Sequence, residues 1–299
     1  MVRLGEPCTF KTGEHASLAT AWTLFREQVG GTLPKAASIA FAGPVEGELL
    51  KLTNNPWVIR PARLKSELGL ERLNLINDFG AVAHAVSQLG EDAYRHICGP
   101  EAALPAEGVI SIVGPGTGLG VAQLVRRGGR SEIIETEGGH IDFAPLDALE
   151  DRILAQLRER YRRVSVERLC AGMGLPAIYE MLAGIERRAV EPRDEKALWT
   201  VALDGSDALA SAALARYCLI LGAVAGDLAL AHGASGLVIA GGLGLRLADH
   251  LPGSGFSDRF IAKGRFERRM AEIPVKLLVH PQPGLYGAAA AFAAAEALA

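Results

Sequence analysis

Residues 73–83, Leu-Asn-Leu-Ile-Asn-Asp-Phe-Gly-Ala-Val-Ala, decide the fold class of this chain. A short apolar run ends at Asn77-Asp78, and a helical pattern begins near Phe79. This places a carboxylate at the carboxyl end of a strand, where open α/β sheets bind their ligands. Two interpretations follow. Asp78 either caps the helix or, beside an amide that can bind a polyol, accepts a proton from one of its hydroxyls.

Strands and helices alternate on both sides of this stretch. Helical periodicity covers residues 17–29 and stops at Gly30-Gly31, a buried strand at 37–42 closes at Gly43-Pro44, and a helix at 61–68 precedes the strand at 73–77. Alternating elements of this kind bury their apolar faces by packing helices on a sheet. This part of the chain is therefore predicted to be an α/β lobe.

A second region begins near Glu91. Its predicted strands are 109–113, 121–125, 133–136, 237–240 and 275–279, and its predicted helices are 148–161, 175–182, 194–203 and 207–232. A last, alanine-rich helix is predicted at 284–298. The first two strands flank a glycine-rich turn, so they are expected to form a hairpin, unlike the strand–loop–helix of a dinucleotide or Walker loop.

The composition is that of a folded and nearly neutral protein. The chain has 299 residues, 22% of them charged, and a formal net charge of −3, and its mean hydropathy is +0.19. This length is enough for two lobes, each with its own core. No basic cluster is present, so we expect no binding to nucleic acid.

Cysteine spacing and the distribution of apolar residues indicate the compartment. Cys8, Cys98, Cys170 and Cys218 match neither a zinc-ligand spacing nor a C-x-x-C pair, so we expect buried or half-buried thiols in a reducing compartment. Residues 1–12 lack the apolar core of a signal peptide. The longest apolar stretches are interrupted by Gly, Asp, Glu or His. A cytoplasmic protein that does not enter a membrane is therefore predicted.

The segment Gly114-Pro115-Gly116-Thr117-Gly118-Leu119-Gly120 has a glycine at every second position. Such spacing lets backbone N–H groups converge on an anion, and Thr117 adds a hydroxyl. A plain hairpin turn is the alternative, but two or three glycines would suffice for that. The segment matches neither G-x-G-x-x-G nor Walker A. It is therefore predicted to bind phosphate through Gly114, Gly116, Thr117 and Gly118.

The segment Glu137-Gly138-Gly139-His140 is predicted to bind a ligand with several hydroxyls. Two glycines permit a bend that presents Glu137 and His140 together, and acceptor-rich side chains suit a sugar. An isolated histidine is more often a core residue, but the nearby glutamate favours ligand contact. We expect no zinc site here, because no cysteine or second histidine lies near in the sequence.

Three other segments are ambiguous by themselves. Gly241-Gly242 follows a buried strand, and either a nucleotide approaches its backbone closely or it is an ordinary strand-to-helix turn. Ser165 is predicted to cap a helix in which Glu167 is a first-turn acid. The segment Thr53-Asn54-Asn55-Pro56-Trp57 is a polar turn with an aromatic residue.

Taken in order, these segments resemble the bacterial ATP-dependent glucokinase family of the actin/hexokinase superfamily. The resemblance runs from about Ala37 to the last helix. The motifs that carry it are Thr53-Asn54-x-x-Trp57, Ile76-Asn77-Asp78-Phe79, the glycines of 114–120, Glu137-Gly138-Gly139-His140-x-Asp142-Phe143, Glu167-Arg168, Ala240-Gly241-Gly242, Lys263-Gly264-Arg265-Phe266 and Pro283-Gly284-Leu285.

The resemblance implies a role for each site residue. It implies that Asp78 is the general base on the sugar 6-hydroxyl, and that glucose is held by Asn77, Glu137, His140 and Glu167. It further implies that the glycine hairpin holds the phosphates of ATP, with Mg²⁺, and that Gly241 and Gly242 lie beside the adenosine. A related branch of sugar kinases and regulators carries a structural zinc on a cysteine-rich motif, which this chain lacks.

The chain departs from the family at its start. Actin-like kinases open with a strand and an Asp-x-Gly-Gly-Thr phosphate turn, and no such motif occurs here. Residues 2–12 resemble a later strand of the same lobe, and the sheet is expected to have an unpaired edge. Either the start Met is assigned too late in the chain, or the protein is an impaired relative. The intact sugar and nucleotide motifs favour the first explanation.

The expected architecture is α/β, with the two lobes of an actin-like (ribonuclease H-like) kinase fold around a cleft. Residues 1–88 with 283–299 are predicted to form the small lobe, and residues 89–282 the large one. The predicted activity is ATP-dependent phosphorylation of glucose to glucose 6-phosphate, and the resemblance suggests a homodimer. The alternative is a relative that binds glucose without phosphorylating it. The choice among glucose, mannose, fructose and glucosamine is left open by the sequence.

Overall fold

The computed structural model of the protein describes residues 2–30, 32–43, 45, 47–52, 56–190 and 193–298. Parts of three sequence predictions lie outside these residues, namely Gly31 after the first helix, Pro44 after the first strand, and Thr53-Asn54-Asn55 of the polar turn. The chain forms two units, Met1–Leu89 with Pro281–Ala299, and Gly90–His280.

Along the described residues, strands and α-helices follow one another singly or in groups of the same type. The strands are β1 (Ala36–Phe41), β2 (Leu50–Lys51), β3 (Val58–Ile59), β4 (Arg72–Asn77), β5 (Tyr94–Cys98), β6 (Gly108–Pro115), β7 (Leu119–Arg127), β8 (Arg130–Thr136), β9 (Gly236–Ile239) and β10 (Val275–Leu278). The helices are α1 (Leu18–Val29), α2 (Pro61–Glu67), α3 (Asp78–Gln88), α4 (Ala148–Arg160), α5 (Glu167–Cys170), α6 (Gly174–Glu186), α7 (Glu195–Leu203), α8 (Ala208–Ala231), α9 (Gly241–Arg246), α10 (Phe256–Ile261), α11 (Glu267–Ala271) and α12 (Pro283–Leu298).

In the first unit, β1 and β4 form a two-stranded parallel sheet. Its register runs from Ala36 beside Arg72 to Phe41 beside Asn77. α3 follows β4 without a break, and α12 packs against α3. A small apolar cluster at this packing contains Ile76, Ala81, Ala288 and Ala291. Five predictions for this unit are confirmed to within one residue at each end, namely the helices 17–29, 61–68 and 284–298 and the strands 37–42 and 73–77.

Residues 2–11 contradict the prediction of a strand. They have no regular structure, and most of them are exposed. A strand requires a neighbour that pairs its backbone N–H and C=O groups. Residues 2–11 pair with none of the strands in the described part of the chain. Cys8 lies in this segment and is exposed, so the prediction of a buried or half-buried thiol is wrong for this cysteine.

The second unit is built on a six-stranded sheet with the order β5-β10-β9-β6-β7-β8. β6, β7 and β8 form an antiparallel meander. β9 lies parallel to β6, and β10 lies parallel to β9. In this arrangement β6 and β9 are neighbours, so their carboxyl ends lie together, as do the glycine segments that follow them.

The longest helix of the second unit, α8, is long and apolar enough to cross a membrane. In the described part of the chain it alone meets that test, and 67% of its most apolar window is buried within the protein. Such burial is what the core helix of a globular unit shows. Tyr217 and Cys218 on α8 are buried completely, and burial raises the pKa of the Cys218 thiol to about 11.

A network of ion pairs holds the beginning of α4 in the second unit. Asp147 caps this helix, and one of its carboxylate oxygens accepts from Arg216 at 2.5 Å and from Arg259 at 2.6 Å. Buried Glu150 accepts from Arg216 at 2.8 Å. Burial by itself raises the pKa of Asp147, but the Glu150 N–H and the two arginines outweigh this effect and lower the pKa to about 2.

We expect Asp147→Asn to destabilise the protein at neutral pH and to lose this effect in acid. The folded-state pKa lies below the unfolded value of 3.8, so the stabilisation is complete above that value and disappears as the pH falls toward 2. Asparagine can also cap the helix, so the variant tests the loss of the Asp147 charge separately from the loss of the cap. Urea unfolding of both proteins from pH 7 to pH 2 checks this. A difference in unfolding midpoint that stays constant over that range would contradict it.

Candidate active site

Asn77 and Asp78, at the end of β4, take different positions relative to α3. The Asn77 Oδ1 atom accepts from the N–H groups of Phe79 at 2.8 Å and Gly80 at 3.0 Å. Its Nδ2 atom donates to the Gly43 carbonyl at 3.0 Å. Asn77 is therefore the cap of α3, and the interpretation of Asp78 as the cap is wrong. Asp78 is the first helical residue and is exposed.

The glycine segment forms the predicted hairpin, with a turn of three residues. β6 and β7 pair up to Gly114 beside Gly120 and Pro115 beside Leu119, and the Gly116 N–H donates to the Gly118 carbonyl at 2.9 Å. Within the described residues, the N–H groups of Thr117 and Gly118 donate to no protein acceptor. Two adjacent amides at a tip with an exposed Thr117 are available to an anion.

The second glycine segment lies against the base of this hairpin. Gly241 has a φ of +86°, and a Cβ atom there would lie 2.8 Å from the Pro115 carbonyl oxygen. Only glycine fits such a close approach in a left-handed conformation. Gly242 is exposed, and a Cβ atom there would meet no atom of the described residues within 4 Å. The segment is a strand-to-helix turn at the start of α9, and it has open space beside the hairpin.

Glu137 and His140 are brought together by a single 3₁₀ turn, Gly138–His140. The Glu137 Oε2 and His140 Nε2 atoms are 3.8 Å apart, and both side chains are more than half exposed. A Cβ atom on Gly139 would lie 2.1 Å from the Leu119 carbonyl oxygen. The turn therefore packs directly on the beginning of β7, which requires glycine at this position.

Glu167 lies beside this turn because the two segments pair. The Val166 N–H donates to the Ile141 carbonyl at 2.9 Å. His140 precedes Ile141 and Glu167 follows Val166, so this hydrogen bond joins their direct chain neighbours. The Glu167 Oε2 atom accepts from the Leu119 N–H at 2.8 Å. The Leu119 amide is thus in contact with Glu167, and the Leu119 carbonyl is in contact with Gly139.

The same pairing overturns the prediction that Ser165 caps α5. The cap position is Val166, and α5 has no side-chain cap. Ser165 instead forms an isolated antiparallel bridge with Asp142. Local preference places Ser165 at the helix end, but its backbone pairs instead with a residue distant in the chain.

Two residues of this site were not found from the sequence. Arg163 donates from Nη2 to the His140 carbonyl at 2.6 Å and from Nε to Asp142 Oδ1 at 2.5 Å. It therefore connects the Glu137–His140 turn to the segment that precedes Glu167. Gly172 donates its N–H to the Gly116 carbonyl at the hairpin tip, at 2.8 Å. Neither residue has a local sequence signal, because both act through partners distant in the chain.

Comparison with known sequences shows which protein family the chain is related to. The family model described as Glucokinase matches residues 3–295. A curated glucokinase from Zymomonas mobilis subsp. mobilis is 64% identical over 293 residues, which are 98% of this chain and 90% of that protein.

Solved structures agree with this relationship. A glucokinase from an Antarctic psychrotroph is 32% identical, with a TM-score of 0.82 over 95% of this chain and 88% of that one. A ROK-family glucokinase from Streptomyces griseus, in complex with glucose and AMPPNP, is 21% identical, with a TM-score of 0.56 over 88% and 82% of the two chains. The fold is therefore the predicted α/β actin-like fold of sugar kinases, and this chain belongs to the glucokinase family.

Proposed function

We propose that this enzyme transfers the γ-phosphoryl group of ATP to the 6-hydroxyl of glucose. The observation that carries the proposal is the double contact at Leu119, where the Glu137–His140 turn and Glu167 both meet the strand that leaves the glycine hairpin. Phosphoryl transfer to a sugar requires hydrogen-bond acceptors for the sugar hydroxyls directly beside hydrogen-bond donors for the phosphate oxygens.

Glucose is held by side chains that match its hydroxyls. Glu137, His140 and Glu167 supply acceptors, and the imidazole of His140 also donates from one nitrogen. Asn77 uses its oxygen and one amide hydrogen within the first unit, which leaves its second amide hydrogen for a sugar hydroxyl. Asp78 then accepts the proton of the 6-hydroxyl as the phosphoryl group is transferred.

The phosphates of ATP are bound by the N–H groups of Thr117 and Gly118 and by the Thr117 hydroxyl. Oriented backbone donors suit a transition state in which charge is spread over phosphoryl oxygens. Mg²⁺, when bound, neutralises part of the phosphate charge. The described residues contain no group of three or more His, Cys, Asp or Glu side chains placed to hold a metal ion.

Gly241 and Gly242 offer a paired test of nucleotide binding. We expect Gly242→Ala to leave stability unchanged, since the Cβ atom meets nothing, and to raise the KM for ATP if the adenosine approaches this backbone. Gly241→Ala should instead destabilise the protein, because it combines a positive φ with a close approach to Pro115. Thermal unfolding and ATP saturation curves distinguish the two. An unchanged KM for ATP in Gly242→Ala would show that the adenosine does not bind at this turn.

A coupled assay that detects glucose 6-phosphate tests the proposed function directly. ATP-dependent product formation is expected with glucose, and parallel reactions with mannose, fructose and glucosamine define the hexose preference. Tight glucose binding in calorimetry without phosphoryl transfer would contradict the proposal and favour a glucose-binding relative. Light scattering during size-exclusion chromatography tests the proposed homodimer in the same preparation.

A further inference from the structure

The tip of the glycine hairpin is connected to the buried core by two successive hydrogen bonds. The Gly116 carbonyl accepts from the Gly172 N–H at 2.8 Å. The Gly172 carbonyl in turn accepts from the indole N–H of Trp199 at 3.1 Å. Trp199, on α7, is 1% exposed, so this series of hydrogen bonds begins at a buried aromatic ring.

Gly172, the residue in the middle of this connection, is closely surrounded by other atoms. A Cβ atom on Gly172 would lie 2.5 Å from Glu195 Oε1 and 3.4 Å from the Gly116 carbonyl oxygen. Trp199 itself packs edge-on against Tyr217, with ring centroids 5.2 Å apart. The hydroxyl of Tyr217 donates to the Cys170 carbonyl at 2.6 Å. Two core aromatics therefore fix the carbonyls on either side of the turn between α5 and α6.

Covalent geometry transmits this constraint to the hairpin tip. The Gly116 carbonyl and the Thr117 N–H belong to the same planar peptide unit and point in opposite directions. When the Gly172 N–H holds the carbonyl, the direction of the Thr117 N–H is set as well. This N–H is one of the two amides that donate to no protein acceptor within the described residues.

We propose that Trp199 is a positioning residue that aims the Thr117 N–H at the phosphates of the nucleotide, acting through Gly172 and Gly116. This inference rests on the proposed function of the hairpin as the phosphate-binding element. Trp199 touches no substrate in this role. Its contribution is to hold a donor in place before the nucleotide arrives, so that binding and transfer do not have to reorganise the glycine-rich backbone.

Trp199→Phe tests the proposal, because it removes the indole N–H and keeps an aromatic ring in the core. We expect kcat/KM for ATP to fall about tenfold, as loss of one buried hydrogen bond and displacement of its acceptor predict. The KM for glucose should change less than about twofold. Trp57→Phe is the matched control, since the Trp57 indole N–H also donates to a carbonyl, that of His15, but in the first unit. That variant should keep the wild-type kcat/KM for ATP.

Two results would overturn the proposal. One is an unchanged kcat/KM for ATP in Trp199→Phe, and the other is an equal loss for ATP and glucose, which a general structural defect would produce. If circular dichroism shows that Trp199→Phe is unfolded, site-specific benzothienylalanine at position 199 keeps the ring shape without the N–H, and the same outcomes apply. Absence of ATP-dependent phosphorylation in the wild type contradicts the proposed function instead, so the two failures are distinguishable.

Discussion

Asp78→Asn is expected to lower kcat by about 10²–10⁴-fold, the usual cost of removing a general base. Glucose binding should persist, because asparagine keeps the size of the side chain and one acceptor oxygen, and its amide nitrogen can donate to a sugar hydroxyl. The helix should also remain intact. Asn77, and not Asp78, supplies the cap of α3, and loss of one first-turn carboxylate costs only about 0.3–1 kcal/mol. Steady-state kinetics and glucose calorimetry on the same preparation separate these effects.

The matched control for this variant is Asp151→Asn. Asp151 is also an exposed carboxylate in the first turn of a helix, α4, and it has no role in the proposed site. Its substitution should leave kcat unchanged. Near wild-type turnover in Asp78→Asn would show that Asp78 is not the base. A large rise in the KM for glucose with an unchanged kcat would assign Asp78 to substrate binding alone.

Gly287→Ala is expected to cause the largest loss of stability, about 3 kcal/mol, the upper end of the usual cost of overpacking. A Cβ atom at this position would lie 1.6 Å from the Ala81 carbonyl oxygen and 3.0 Å from the Ala85 nitrogen. Both atoms belong to the backbone of α3, so no side-chain rotation relieves the contact. The two helices must separate, and α3 is the helix that begins at Asp78. Activity should therefore fall together with stability.

Gly284→Ala is the control on the same helix, α12. A Cβ atom at Gly284 would meet nothing within 4 Å, and alanine favours a helix over glycine by about 1 kcal/mol. This variant should be as stable as the wild type or more so. Urea unfolding followed by circular dichroism compares the three proteins. A midpoint for Gly287→Ala equal to that of the wild type would contradict the close packing of α3 and α12.

Most secondary structure was predictable because it depends on local sequence. The 114–120 hairpin, the strand before Asn77 and the long helix α8 each carry their own pattern of glycines or apolar residues. β5 was missed because Tyr94–Cys98 shows no clear alternation and becomes a strand by pairing with the distant β10. The short helices α9, α10 and α11 likewise have too few residues to show a helical period.

The errors at the site have a common physical origin. Local preference offered Asp78 as one possible cap and predicted Ser165 as another, whereas the structure uses Asn77 for one helix and pairs Ser165 with Asp142 instead. The position of Glu167 shows the same limit. Its sequence context indicates only a first-turn acid, and its contact with the Leu119 amide depends on the pairing of Ile141 with Val166.

The sequence by itself determined the fold class, the glycine hairpin and the Glu137–His140 bend, because backbone preferences and covalent spacing act over a few residues. Only the tertiary structure decided which side chain caps α3, what contacts Leu119, and that Trp199 reaches the hairpin tip through Gly172. These contacts join residues far apart in the chain. Their distances are set by how the strands and helices pack, and no local pattern records that.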